Sequence, residues 1–287
     1  MPKAGIPDEG VRKDRMKLTF LGVRGTTPVS GKDKNKYGGH TLCTQLVTCT
    51  GELIIVDAGT GIKIVGDWLM HQESEKELNI HILFTHFHLD HIIGLPFFSP
   101  LYSPKTSLTI YADITSRKTE KYLSGLMADR FFPLDFKDTS SRKIFKKIPE
   151  GNFRIGGVNI SHCPLLHPQG SIGYKFQEKK AQIVLATDTE HPEDGPDRRL
   201  ITFAQGAEII IYDAFFTPEE YEAGRKNWGH STWLEGTKVA REAGVSRLYL
   251  SHYNPDHSDD EIDAIISLSR REFPETYGAQ EGLELTF

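Results

Sequence analysis

The sequence predicts a mixed α/β fold, many short strands interleaved with helices. Two observations carry the prediction. Short runs rich in Val, Ile, Leu and aromatic residues recur along the chain, each bounded by Gly, Pro, Asp or Asn, as strands are. Later segments carry helix-start chemistry with apolar residues at helical spacing. The chain has 287 residues, 38% of them apolar and 25% charged, enough to bury a core without covalent staples.

In chain order, residues 1–15 are polar and read as a mobile tail with no secretory-signal core. Strands are predicted at Leu18–Val23, Cys43–Thr48, Leu53–Val56, Ile80–Phe84 and Leu108–Tyr111. More follow at Val158–Ser161, Ile172–Phe176, Ile183–Ala186, Glu208–Tyr212 and Arg247–Leu250. Residues 97–150 are rich in proline and aromatic pairs, with a helix near Ser116–Ala128, and read as an insertion or lid beside a site. Thr232 and Glu235 have capping-box spacing and open a helix over Trp233–Ala243, which Gly244 stops. Ser258 and Glu261 repeat the device for a helix near Asp259–Arg271.

Composition excludes several classes. The 34 basic residues against 39 acidic ones leave a net charge of −5, which advertises no large nucleic-acid footprint. No apolar run is long enough to span a bilayer. Cys43, Cys49 and Cys163 have neither CxxC spacing nor an even count, so they read as free thiols in a reducing cytoplasm. Against those 3 cysteines stand 12 histidines, so any bound metal must be held by nitrogen and oxygen.

The densest chemistry follows the strand at Ile80–Phe84. His86, His88, Asp90 and His91 fall within six residues, where the chain leaves the strand for a loop. Such donors suit zinc, manganese or iron, and burying four of them without a cation would be costly. One tetrahedral ion cannot comfortably use all four, so two adjacent ions with further ligands are expected. The same rule, Asp or His just past an apolar strand, finds Asp57, His167, Asp188, Asp213 and His252.

The segment Thr85-His86-Phe87-His88-Leu89-Asp90-His91 resembles the signature of the metallo-β-lactamase-fold hydrolases. The order of Asp57 before it and His167, Asp188 and His252 after it matches as well, so the resemblance runs from about Leu18 to the last helix. It implies a four-layer αββα sandwich, a single domain over residues 16–287 with duplicated halves. It also implies one ion on His86, His88 and His167, a second on Asp90, His91 and His252, and Asp188 bridging both. Asp57 would orient a ligand. The two ions are expected to be zinc, with manganese or iron as alternatives.

Within that superfamily, antibiotic-degrading members commonly use a cysteine ligand, whereas position 188 here is Asp. Three segments instead resemble the phosphodiesterase branch of tRNA 3′-processing nucleases and cyclic phosphodiesterases: Leu18 to Pro28 with Tyr37 to Thr41, then Tyr212 to Phe216, then Gly229-His230-Ser231-Thr232. In that branch the acidic residue, here Asp213, holds the histidine, here His230, as an imidazolium that protonates the leaving oxygen. Asp90, Asp213 and His230 are therefore the expected catalytic residues. A bridging hydroxide attacks phosphorus, with the helix start near Ser231 offsetting charge.

The expected substrate is a cyclic nucleotide or other small phosphodiester, handled by a cytoplasmic homodimer with no membrane partner. RNA 3′-processing is the first alternative, though the long basic Gly/Pro-rich arm of many such nucleases is missing and Lys143, Lys146 and Lys147 form only a short cluster. A thioester or lactone hydrolase on the same metals is the second, and a non-catalytic sensor with a relic site the third. Arg24 is read as a surface arginine, with phosphate contact as the alternative. His40, His162, His191 and His257 have no assigned role.

Overall fold

A computed structural model describes residues 15–72, 76–128 and 130–287. The tail expected over residues 1–15 lies, apart from Arg15, outside the described residues. The chain divides into two compact units. Of the described residues, one comprises those up to Gly22, within His40–Glu150 and within Glu281–Phe287; the other comprises Val23–Gly39 and Gly151–Gln280.

Among the described residues the first unit holds a seven-stranded sheet. Its strands are β1 (Lys17–Gly22), β2 (Cys43–Val47), β3 (Leu53–Val56), β4 (Leu78–Leu83), β5 (Thr106–Ala112), β6 (Arg142–Lys147) and, at the far end of the chain, β14 (Glu284–Thr286). The spatial order is β14-β1-β2-β3-β4-β5-β6, with three antiparallel pairings followed by three parallel ones. Helix α1 (Ile62–Gln72) buries Ile62, Val65 and Leu69, one stripe at helical spacing, in the same core as Ile55, Ile80, Ile82, Leu108 and Ile110. Each such side chain contributes about 1.5–3 kcal/mol by leaving water. The one-turn α2 (Leu89–Ile92) and α3 (Ser116–Leu126), capped by Thr115, complete the unit's α-helices among the described residues.

Residues 97–150, expected as an insertion or lid, supply β5 and β6, which extend the first sheet in parallel register from β4. The reading failed on β6 because Arg-Lys-Ile-Phe-Lys-Lys is a polar sequence. β6 is an edge strand, where lysines disfavour pairing with other chains, and Lys143, Lys146 and Lys147 lie on it.

The second unit repeats the pattern. Its strands are β7 (Phe153–Ile155), β8 (Val158–Leu165), β9 (Ser171–Glu178), β10 (Ala181–Ala186), β11 (Ile209–Asp213), β12 (Arg247–Ser251) and β13 (Thr276–Gly278). From β7 to β13 there are again three antiparallel pairings and then three parallel ones. The Ile209–Ile211 run and Ile183–Leu185 are fully buried, as parallel strands covered on both faces require. Helices α4 (Arg198–Ala204), α5 (Pro218–Glu222), α6 (Trp233–Ala243) and α7 (Asp259–Glu272) lie in this unit. The Ser258–Glu261 box is present in both directions, and Thr232 accepts the Glu235 amide as expected. Gly244 takes the left-handed C-cap, φ 65°.

Candidate metal centre

The site residues cluster at strand ends, where open α/β sheets place ligand chemistry. In the first unit, Asp57 follows β3 and Thr85-His86 follows β4. His88 is the extended residue before α2, whose single turn sets Asp90 and His91 side by side. The His86 ring centroid lies 4.4 Å from that of His88 and 4.2 Å from that of His91. Nε2 of His91 is 3.4 Å from an Asp90 oxygen.

Asp57 is fully buried beneath this group. Its Oδ2 lies 2.9 Å from Nδ1 of His91 and accepts the Thr85 hydroxyl at 2.9 Å, while Oδ1 accepts the Thr85 amide at 2.8 Å. The Asp57 carboxyl is pushed above its usual range by burial, which His91 and the Thr85 bonds offset only in part. A carboxylate on Nδ1 turns Nε2 into the ligating nitrogen and fixes the ring's direction. Thr85, which sequence reasoning missed, orients Asp57 from the strand end. The loop after Asp57 sits tightly on the Asp90–His91 turn: Ala58 N donates to His91 O at 2.7 Å, and a Cβ on Gly59 would fall 2.4 Å from Asp90 O. His40 has a structural task here, since its Nδ1 is 3.1 Å from the Thr60 hydroxyl that also accepts the Thr41 amide.

The second unit carries the other half of the expected residues. Asp188 follows β10, and its Oδ1 lies 3.3 Å from Nε2 of His252 and 4.0 Å from Nε2 of His167. One carboxylate oxygen thus faces two of the expected ligands. His167 is oriented by its Nδ1, 2.7 Å from Gly229 O. Asp213, at the end of β11, lies 3.1 Å from Nδ1 of His230 and 3.5 Å from Nδ1 of His252. His230 is stacked on Phe215, centroids 4.4 Å apart and planes 15° apart.

Asp188, Asp213, His230 and His252 offer atoms within 4.8 Å of one another and could hold a cation. Asp213, however, already accepts four donors: the amides of Asp188, Phe215 and Ser231, and His230 Nδ1. Two carboxylate oxygens have about four acceptor sites. It is better suited to holding His230 than to ligating. Asp57, Asp188 and His252 all adopt left-handed backbone, φ 61°, 58° and 57°. Such strain of about 1–3 kcal/mol per residue concentrates at functional sites.

One expectation is corrected. Arg24 is not on the surface but fully buried, donating to Gly38 O, Asn254 O and His257 O, so it binds backbone instead of phosphate. Next to the helix start, the Ser231 amide donates to Asp213 Oδ1 at 3.1 Å, and its hydroxyl accepts from Tyr212 OH and lies 3.0 Å from His191 Nδ1. His257 pairs with Glu220 at 2.9 Å, and His162 lies within β8.

Imidazole and carboxylate sets of this kind suit divalent cations. Residues 53–253 match the family described as the Beta-lactamase superfamily domain. The chain belongs to that superfamily. Among curated proteins it is 25% identical to a ribonuclease Z of Oceanobacillus iheyensis, over 93% of this chain and 98% of the relative. Among solved structures it resembles the metallo-β-lactamase fold protein YhfI from Bacillus subtilis, with TM-score 0.70 and 18% identity over 96% of this chain and all of that one. It also resembles human tRNase Z, short form, with TM-score 0.58 and 19% identity over 94% and 98%. The fold is the metallo-β-lactamase fold expected from the sequence. Among the described residues no helix is long and apolar enough to cross a membrane.

Proposed function

We propose that this metal-dependent hydrolase cleaves phosphodiesters, with a cyclic nucleotide or other small phosphodiester as its substrate. The observation that carries the reading is the buried Asp213 carboxylate 3.1 Å from His230 Nδ1. A carboxylate on one ring nitrogen fixes the ring's orientation and leaves the other nitrogen for proton transfer as a general acid. Departure of an alkoxide from phosphorus needs such a proton.

The ligand set implied by the resemblance is retained: His86, His88 and His167 for one divalent ion, Asp90, His91 and His252 for the other, Asp188 for both. Bound there, two ions would supply an activated water near neutral pH and clamp phosphate oxygens. Around them, Asp57 orients His91, the Gly229 carbonyl orients His167, and Asp213 orients His230. Zinc is the first choice of ion, with manganese or iron accepted by the same donors. The three free cysteines fit a cytoplasmic enzyme, and a homodimer is the assembly we favour, testable by light scattering.

RNA 3′-processing is the second reading, favoured by full-length relatives named ribonuclease Z. The net charge of −5 and the missing basic arm favour the small substrate. The test is turnover, with zinc or manganese, of bis(p-nitrophenyl) phosphate, 2′,3′- and 3′,5′-cyclic nucleotides, a 3′-extended tRNA precursor, and thioester and lactone controls. Cyclic nucleotides are expected to turn over fastest. Precursor tRNA outpacing them establishes the second reading, and no diesterase activity with either metal overturns both.

A further inference from the structure

We propose that Glu190 is the positioning residue for His230, a role that rests on His230 being the proton donor. Glu190 is buried, 7% exposed, and stands two residues after Asp188. Its Oε1 accepts the Tyr221 hydroxyl at 2.6 Å and the Asn227 amide at 2.7 Å, and its Oε2 accepts the Gly229 amide at 2.9 Å. Its own amide donates to Leu166 O at 2.6 Å, beside His167.

The segment it grips carries strained backbone. Asn227 and Gly229 are both left-handed, φ 67° and 86°. A cavity of about 300 Å³ lined by His167, His191, Tyr221, Lys226 and Asn227 lies against it, so packing does not fill the space beside the loop. The Asn227 and Gly229 amides and the Tyr221 phenol converge on this one carboxylate, and His230 is the next residue. Charge-assisted bonds of this kind are stronger than neutral ones and need an acceptor on both oxygens. A glutamine would turn an NH2 group toward a donor.

Glu190→Gln tests the role. The enzyme is assayed on the p-nitrophenyl and ethyl esters of thymidine 5′-phosphate. The first leaving group departs with little help; the second needs a proton. Glu190→Gln is expected to lower kcat on the ethyl ester by about 100-fold, the low end of general-acid contributions. The p-nitrophenyl ester should change by less than about 3-fold, with bound metal unchanged by elemental analysis. A role in folding alone would lower both esters together, and that result, or no change in either, overturns the proposal. If Glu190→Gln does not fold, Tyr221→Phe removes one bond to the same carboxylate and should show the same selective loss at about 3- to 10-fold; equal losses on both esters, or none, overturn the proposal there too. His230→Ala runs alongside. If it fails to discriminate between the esters, the reading of His230 as acid falls, and this inference with it. If it discriminates and Glu190→Gln does not, only the positioning role falls.

Discussion

Oδ2 of Asp213 lies 3.1 Å from Nδ1 of His230, and the same oxygen accepts the backbone amide of Asp188 at 3.0 Å. Holding the proposed proton donor and fixing the backbone of the expected bridging ligand are thus tasks of one carboxylate. Asp213→Asn puts an amide nitrogen where two donors converge, so one of them loses its acceptor. Turnover of an alkyl phosphodiester should fall about 10²- to 10⁴-fold. Because the pair acts as a unit, the Asp213→Asn/His230→Ala double variant should be no worse than the poorer single variant. Steady-state kcat/KM for the four proteins decides this; losses that multiply would show two independent roles.

Gly229 has no room for a side chain. A Cβ there would lie 2.3 Å from Pro168 Cδ and 2.4 Å from His167 Nδ1, on a backbone at φ 86°. Gly229→Ala must therefore displace His167 or the loop. We expect a loss of roughly 1–3 kcal/mol in stability from strain and overpacking together. Chemical denaturation measures the first effect, and metal content by elemental analysis should fall in parallel. A variant as stable and as metal-rich as the parent would show that the loop is free to adjust.

The parts of this chain that could be read in its sequence are those governed by short-range rules. Leu53–Val56 and the Ile183–Ala186 run are apolar because both faces are covered, and turn residues end them. Donors at strand ends therefore stood out, and the order from Asp57 to His252 was readable. Arg142–Lys147 was hidden because an edge strand is selected for charge, not for apolar content. Thr276–Gly278 and Glu284–Thr286 are three residues each, too short to show alternation. Helix α1 carries Gly66 in its interior, which weakens the helical signal. Thr85, Glu190 and the buried Arg24 escaped for a different reason: Thr85 binds the Asp57 carboxylate, and Glu190 and Arg24 bind backbone groups, all distant in sequence, and no spacing rule encodes those.

Asp57→Asn isolates the orientation of His91. Asparagine tolerates the left-handed φ of 61°, so the backbone need not move. It keeps one acceptor but no charge against His91 Nδ1. Loss of such an orienting carboxylate typically weakens metal binding 10- to 100-fold. Titration with zinc against a competing chelator reads this directly. The parent should also lose thermal stability on chelation and regain it on adding metal, since an ion at 100 times its Kd stabilises the folded state by about 2.7 kcal/mol. An unchanged zinc affinity in Asp57→Asn would remove Asp57 from the centre.

The thiols give a prediction in pH. Burial pushes the Cys163 thiol up to about 12 and the fully buried Cys43 thiol well above its usual range. Thiolate is the reactive form. At pH 8 a maleimide should therefore leave Cys43 and Cys163 unlabelled in the native protein and label all three cysteines in denaturant, read by mass spectrometry. The sign for stability follows. In the unfolded chain Cys163 loses its proton near pH 8.5, but in the folded chain it keeps it to about 12. The folded state then binds more protons in that window, so the contribution of Cys163 is complete below about pH 8.5 and declines as pH rises from there. Cys163→Ala, compared with the parent by urea denaturation at pH 8 and pH 10, should lose less stability over that interval. An equal loss in both proteins would show that the Cys163 thiol does not contribute to the alkaline limb.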